Sequence, residues 1–246
     1  MTSTSSRVIA VLGAGPGLGM SMARRFGREG FAVALVSRTD ARHAGYRDDL
    51  AAGGIESRSY AADITDPAQA RDVLARIATD LGDIDTVYYG PATADLGGGI
   101  VALPDAGGAD VRTSFESTVL PAVDVVAATL PRMLERGDGA LIFGGGLSGL
   151  RPMPMLGTLA PASAALRMYV LTLAAAVRDR GVYAATLTIG GLIERGDIHR
   201  AFTGQGATLP TLDPDDIADT AWRMYVARDE AEAVFDVLTP EASTTS

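Results

Sequence analysis

Residues Arg7 to Gly19 read RVIAVLGAGPGLG. A short apolar run, Val8 to Leu12, gives way to glycines at 13, 15, 17 and 19, and the following SMARRFGREG carries helical spacing in Met20, Ala23 and Phe26. A strand, a tight turn and a helix are the chain path with that pattern. Glycine lacks a Cβ, so the turn can take dihedrals closed to other residues and let a ligand approach the main chain. The helix after it presents free N–H groups and the positive end of its dipole. A diphosphate suits that place, and the flanking strand and helix separate a dinucleotide site from an ordinary glycine turn.

The rest of the chain alternates strand and helix. Ala32 to Ser37 is a continuous apolar run of the kind a buried parallel strand shows, and a short helix follows from about Asp40, its expected cap, to Gly53-Gly54. Ser57 to Ala61 is a third strand. Asp66-Pro67 opens a helix to Leu81-Gly82 with Val73, Leu74 and Ile77 on one face. Asp85 to Tyr89 is a fourth strand, Gly90 to Gly108 a glycine-rich loop, and Ala109 to Arg136 one long helix. Ala140 to Phe143, Tyr183 to Ile189 and Ala233 to Val237 are further strands, separated by a largely helical Gly157 to Arg180, an irregular Gly190 to Leu212 and a helix from Asp213-Pro214 to about Arg228. This order predicts an α/β fold: one doubly wound parallel sheet of seven strands with helices on both faces. A single domain over 1–246 is expected, with flexible ends at 1–6 and 239–246.

Composition excludes several function classes. The net charge of −9 opposes a general nucleic-acid binder, which needs a basic surface. No apolar run approaches a membrane span and MTSTSSR lacks the features of a secretory leader, so a cytoplasmic location is the expectation. No cysteine is present, and two isolated histidines cannot assemble a usual metal-ligand set, so no metal is expected. All 21 basic residues are Arg; the chain holds no Lys and no Asn. No mechanism that needs a lysine ammonium or an asparagine amide can operate here.

Ligands of such sheets lie beyond the carboxyl ends of the strands. After the second strand stand Ser37, Arg38 and Thr39, where a binder of NAD usually places an acid against the ribose. A guanidinium and a hydroxyl suit a 2′-phosphate instead, which favours NADP over NAD, although Arg38 could also be a solvated loop arginine. Asp63 and Ile64 follow the third strand, where Asp63 could meet an adenine amino group or cap the next turn. His43 is expected to face solvent.

Together, LGAGPGLG, the Ser37-Arg38 pair, AADIT, DPDDIA and the spacing of the seven strands resemble the short-chain dehydrogenase/reductase family over Val8 to Val237. Its T-G-x-x-x-G-x-G motif is met by Gly13, Gly17 and Gly19, with Leu12 in the threonine place. The resemblance implies a Rossmann fold, NAD(P)-linked oxidoreduction of a small carbonyl or alcohol, and a homodimer or homotetramer joined through the two long helices. It also implies that Gly13, Gly15, Gly17, Leu18 and Gly19 hold the diphosphate. Gly90 and Pro91 stand where the family has N-N-A-G, and Gly190-Gly191 where it has P-G, so that Gly191 and the next residue, Leu192, fall on the cofactor.

The family's catalytic Asn, Ser, Tyr and Lys align with Thr118, Gly146, Leu159 and Ser163. In the family's mechanism tyrosine gives a proton to the carbonyl oxygen as hydride arrives, and lysine lowers the tyrosine pKa. Leucine can do neither. Three readings follow. The chain is an NADP-linked reductase with a relocated donor, Tyr89 or Ser148, acting on a carbonyl, an imine or an activated alkene. Alternatively it is an inactive NADP-binding sensor or partner subunit. In the third reading it is a cyclase or isomerase in which Arg151, Arg195 and His199 grip an anionic or polarised substrate. Tyr88 reads more simply as sheet packing, and Ser148 as a turn residue.

Overall fold

The computed structural model describes residues 7–90, 100–206 and 209–239. Seven parallel strands form one sheet in the order β3-β2-β1-β4-β5-β6-β9. They are β1 (Val8–Leu12), β2 (Ala32–Ser37), β3 (Ser57–Ala61), β4 (Ile84–Tyr89), β5 (Gly139–Gly146), β6 (Val182–Gly190) and β9 (Glu232–Asp236). The strand order turns back between β1 and β4, the two strands that start the two halves, so a crevice opens beyond their carboxyl ends. The expected doubly wound α/β architecture is therefore present.

Two apolar layers hold the sheet. In β1 every side chain is buried, with Val8, Ala10 and Leu12 in one layer and Ile9 and Val11 in the other, as the two-residue strand period requires. The first layer packs against α3 (Pro67–Leu81), α5 (Leu120–Arg136) and α6 (Leu159–Val177) through Ile77, Val125 and Leu166. The second packs against α1 (Leu18–Arg28), α2 (His43–Ala52) and α8 (Pro214–Ala227) through Phe26, Leu50 and Ile217. Each such side chain contributes about 1.5–3 kcal/mol by leaving water. Phe26 also meets Trp222 and Tyr225 edge-on, at ring separations of 5.1 and 5.4 Å, which locks α1 to α8.

Local chemistry sets the helix ends. The Asp66 carboxylate caps α3 by accepting from the Ala68 N–H at 2.8 Å with Pro67 at the first position, and Asp213 does the same for α8 at the Asp215 N–H. Asp40 does not cap α2 as expected. That helix starts later, at His43, and only the backbone carbonyl of Asp40 is used, accepting from the His43 N–H at 2.9 Å. The expected single long helix is two, α4 (Gly108–Thr118) and α5, interrupted at Val119. Pro121 has no N–H to offer the carbonyl of Ser117, so the ladder loses a rung there. The segment expected to be irregular contains β7 (Leu192–Ile193), α7 (Asp197–Gly204) and β8 (Thr211–Leu212), with β7 and β8 paired in parallel.

Two helical stretches, Gly108–Arg136 and Leu159–Arg180, reach the length and apolar composition of a membrane span. In this fold one face of these helices serves the first core layer, where Val125, Val126, Leu166 and Val170 are buried.

Candidate active site

The turn after β1 builds the first part of the site. Gly13 has φ +105°, closed to residues with a Cβ, and its N–H donates to the Val36 carbonyl at 3.0 Å. A Cβ on Gly19 would collide with the Gly13 carbonyl oxygen, so α1 can approach the strand this closely only with glycine there. Gly15 faces open space, with nothing within 4 Å of where its Cβ would stand. Gly17 is the N-cap of α1 and provides no side-chain cap, so the first N–H groups of Leu18 and Gly19 stay available to an anion. These residues fit a dinucleotide diphosphate: an open cradle at Gly15 beside an uncapped helix start.

Ser37 and Arg38 lie at the end of β2. The Ser37 hydroxyl donates to the Thr39 carbonyl at 2.9 Å and lies 2.7 Å from His43 Nε2. His43 is thus buried at 3% exposure rather than solvent-facing, and burial lowers its pKa below the ordinary histidine value. It folds the start of α2 back onto the strand end. Arg38 is exposed and has no ion-pair partner among the described residues. Asp63 closes a local turn: its Oδ1 accepts from the Thr65 N–H at 3.0 Å and from the Thr65 hydroxyl at 2.7 Å. Ile64 is buried in the first core layer.

At the ends of β4 and β5 the chain is crowded and small. Gly90 donates its N–H to the Leu12 carbonyl at 2.9 Å, and a side chain there would strike the Tyr88 ring. Pro91 lies outside the described residues. Tyr88 and Tyr89 are buried on opposite faces of the sheet, Tyr89 with its ring 5.8 Å from that of Phe143. Burial pushes both phenols well above their ordinary pKa, and the Tyr89 hydroxyl has no hydrogen-bond partner among the described residues. Beyond Phe143, β5 continues as Gly144, Gly145 and Gly146. A Cβ on Gly146 would stand 3.5 Å from Ser148 Oγ and 3.9 Å from Ser163 Oγ.

Gly146, Ser148 and Ser163 are therefore brought together, from β5, the 3-10 turn after it and the first turns of α6. Ser148 is 6% exposed and its Oγ has no partner among the described residues; neither does the buried Oγ1 of Thr118, at the end of α4. A buried hydroxyl without a partner costs stability, and it is retained most readily where a ligand supplies the missing bond. Leu159, in the tyrosine place, is the first residue of α6 and is partly exposed.

Past β6, Leu192 pairs with Thr211, and a side chain on Gly191 would strike Val237 and Leu212. Ile193, Glu194 and Gly196 lie against Gly17, the last two within 3.2 Å of its Cβ position. Arg195, at φ +64°, donates to Asp213 at 3.0 Å and pairs with Asp215 at 2.7 Å, and Arg151 reaches Asp236 at 3.3 Å. Both guanidiniums are thus already matched by acids. His199 Nδ1 is buried without a partner among the described residues. No motif in the sequence marks Arg42. It donates to Asp197 of α7 at 2.7 Å, across 155 positions of chain, and this bond holds the Asp197 carboxyl below its ordinary pKa.

The short chain dehydrogenase profile matches residues 7–195. The chain is similar to a short chain dehydrogenase of Pseudocercospora fijiensis, 26% identical over 182 residues, which are 74% of this chain and 58% of that protein. It thus spans little more than half of that relative's length. It is also similar, at 24% identity over 96% of this chain and 94% of the other, to 2,5-dichloro-2,5-cyclohexadiene-1,4-diol dehydrogenase LinX of Sphingobium indicum. Among solved structures it is similar in fold to L-sorbose reductase from Gluconobacter frateurii complexed with NADPH and L-sorbose. That match has a TM-score of 0.80 at 20% identity and covers 96% of this chain and 98% of that one.

Proposed function

This chain belongs to the short-chain dehydrogenase family, and from that premise we propose that it is an NADP(H)-linked oxidoreductase of a small carbonyl, imine or activated alkene that works without the family's tyrosine and lysine. The observation that carries this reading is the hydroxyl pair at Gly146. Ser148 and Ser163 flank the place where the family's serine would stand, and Ser148 Oγ is buried with its bonding capacity unspent.

In this reading Gly13, Gly15, Gly17, Leu18 and Gly19 hold the diphosphate, and Ser37 with Arg38 takes the 2′-phosphate. Asp63 and Ile64 flank the adenine, and Gly90, Pro91, Gly191 and Leu192 flank the nicotinamide end. The Arg38 guanidinium, without an ion-pair partner among the described residues, and the NADPH carried by L-sorbose reductase both favour NADP over NAD. The bound cofactor supplies the hydride. Ser148 donates a hydrogen bond to the oxygen or nitrogen of the acceptor.

A neutral serine is a weak acid, so the preferred acceptor needs little proton help. An iminium is neutralised by hydride alone, and an activated alkene yields an enolate that solvent can protonate. General acid assistance is typically worth about 10²–10⁴-fold, so plain ketones should react slowly. Assembly as a homodimer through α5 and α6 belongs to this reading, supported by the exposed Leu120 and Met168 on those helices.

The test is NADPH consumption against a panel of ketones, cyclic imines and enones. Turnover of an imine or enone that falls on Ser148→Ala supports the reading. Tight NADPH binding with no consumption by any of them would instead favour a dinucleotide-binding protein without turnover.

A further inference from the structure

Two carboxylate–guanidinium links hold the segment after β6 down on the glycine turn. Arg195 joins it to Asp213 and Asp215, the cap and first turn of α8, and Arg42 joins it to the start of α2 through Asp197. Between these anchors Glu194 and Gly196 lie in contact with Gly17. The Arg42 anchor differs from the other in its surroundings. Arg42 and Arg38 leave the same short loop after β2, and His43 Nε2 on Ser37 keeps that loop folded against the strand end.

We propose that Asp197 occupies on Arg42 the place that the 2′-phosphate of the cofactor takes when bound, so that cofactor binding at the end of β2 releases α7. This inference rests on the reading that NADP(H) occupies the glycine turn. Its physical basis is competition for one guanidinium, which donates from Nη1 to a single Asp197 oxygen. A guanidinium presents paired N–H groups that suit a carboxylate or a phosphate equally in geometry, and a phosphate monoester brings more negative charge than a carboxylate. The Arg42 and Asp197 side chains are 52% and 47% exposed, so their pair is screened and contributes little. A bond that weak holds the segment in the absence of ligand and gives way to a stronger anion.

Asp197 also has a second cation to turn to, since Arg200 on the same helix already bonds its other oxygen. Loss of Arg42 therefore does not leave the carboxylate bare. NAD(H), which lacks the 2′-phosphate, would bind without displacing Asp197 and would leave α7 in place. By reciprocity, a change that frees α7 while leaving Arg42 in place strengthens binding of the 2′-phosphate by the same factor.

Hydrogen exchange of residues 197–204 tests this on the full chain, with affinity measured by fluorescence titration. Adenosine 2′,5′-bisphosphate should speed exchange in α7, whereas adenosine 5′-monophosphate should not. Asp197→Asn should speed exchange without ligand and tighten NADPH about two- to fivefold while leaving NADH unchanged. Arg42→Gln should also speed exchange but weaken NADPH, so the two variants agree in one readout and oppose in the other. NADPH binding with α7 exchange unchanged, or both variants shifting affinity in the same direction, would overturn the inference while leaving the cofactor reading intact. No binding of NADPH or of the bisphosphate would overturn the cofactor reading, whereas unchanged exchange in ligand-free Asp197→Asn would overturn the latch by itself.

Discussion

Gly19 packs so closely on Gly13 that a Cβ on the first would overlap the carbonyl oxygen of the second and stand 3.1 Å from Ala14 Cα. The obstacle is backbone, which cannot swing away as a side-chain end can. Gly19→Ala should therefore cost about 1–3 kcal/mol of stability, seen as a lowered thermal midpoint. Gly15→Ala is the contrast. Its Cβ meets nothing within 4 Å, so stability should change by no more than about 0.5 kcal/mol, while NADPH affinity falls about tenfold if a diphosphate lies over that glycine.

Arg38 has no acid to hold it among the described residues, so its charge is available to a ligand. Hydrogen bonds to charged groups contribute about 1.5–3 kcal/mol, which sets the expected loss of NADPH affinity in Arg38→Ala at roughly 10- to 100-fold. NADH affinity should hardly move. Fluorescence titration of both cofactors checks the difference, and equal losses would remove Arg38 from the 2′-phosphate site.

Ser148 and Gly146 give a paired prediction at the reacting end. Removing a single donor aimed at developing charge typically costs about 10²–10³-fold in kcat, so Ser148→Ala should fall in that range or just below it for any substrate found. Gly146→Ser should fold normally, because its new Cβ makes only ordinary contacts, 3.5 Å from Ser148 Oγ and 3.9 Å from Ser163 Oγ. Steady-state kinetics and a melting curve on the two variants check both halves.

Arg167 of α6 grips Glu232 of β9 with a fork, its Nε donating at 2.7 Å, and the Thr188 hydroxyl donates to the same carboxylate at 2.7 Å. These bonds, that from Arg167 first, hold the Glu232 carboxyl below its ordinary value of 4.5. A carboxyl with a lowered folded pKa adds stability that is complete above its unfolded value and is lost as pH falls through the folded one. Glu232→Gln should therefore be less stable than the parent in urea at pH 7, by about 1–3 kcal/mol. The gap should narrow as pH falls below 4.5 and close once the folded carboxyl is protonated, and a gap that persists in strong acid would contradict the assignment.

The inner strands were legible because, buried on both faces, they are written as apolar runs such as Val8–Leu12 or Ala32–Ser37, and Asp66-Pro67 and Asp213-Pro214 state where helices begin. Periodicity carries no record of tertiary partners, and the misreadings follow from that. His43 looked polar and exposed, yet a hydroxyl 2.7 Å away gives its ring a place inside. Tyr89 stood at the mouth of a strand, but its side chain turns into the first core layer beside Phe143. Arg42 drew no notice, since its partner Asp197 is far away in sequence. The glycines at 13 and 19 were legible for the opposite reason: the close packing of strand and helix admits no other residue.

Isothermal titration of the full chain with NADPH and with NADH tests the central claim most directly. The account predicts one binding event per chain, tighter for NADPH, and weakened in Gly15→Ala without loss of folding. No heat from either nucleotide with the native chain, or binding untouched by Gly15→Ala, would contradict the placement of a pyridine dinucleotide on the turn after β1.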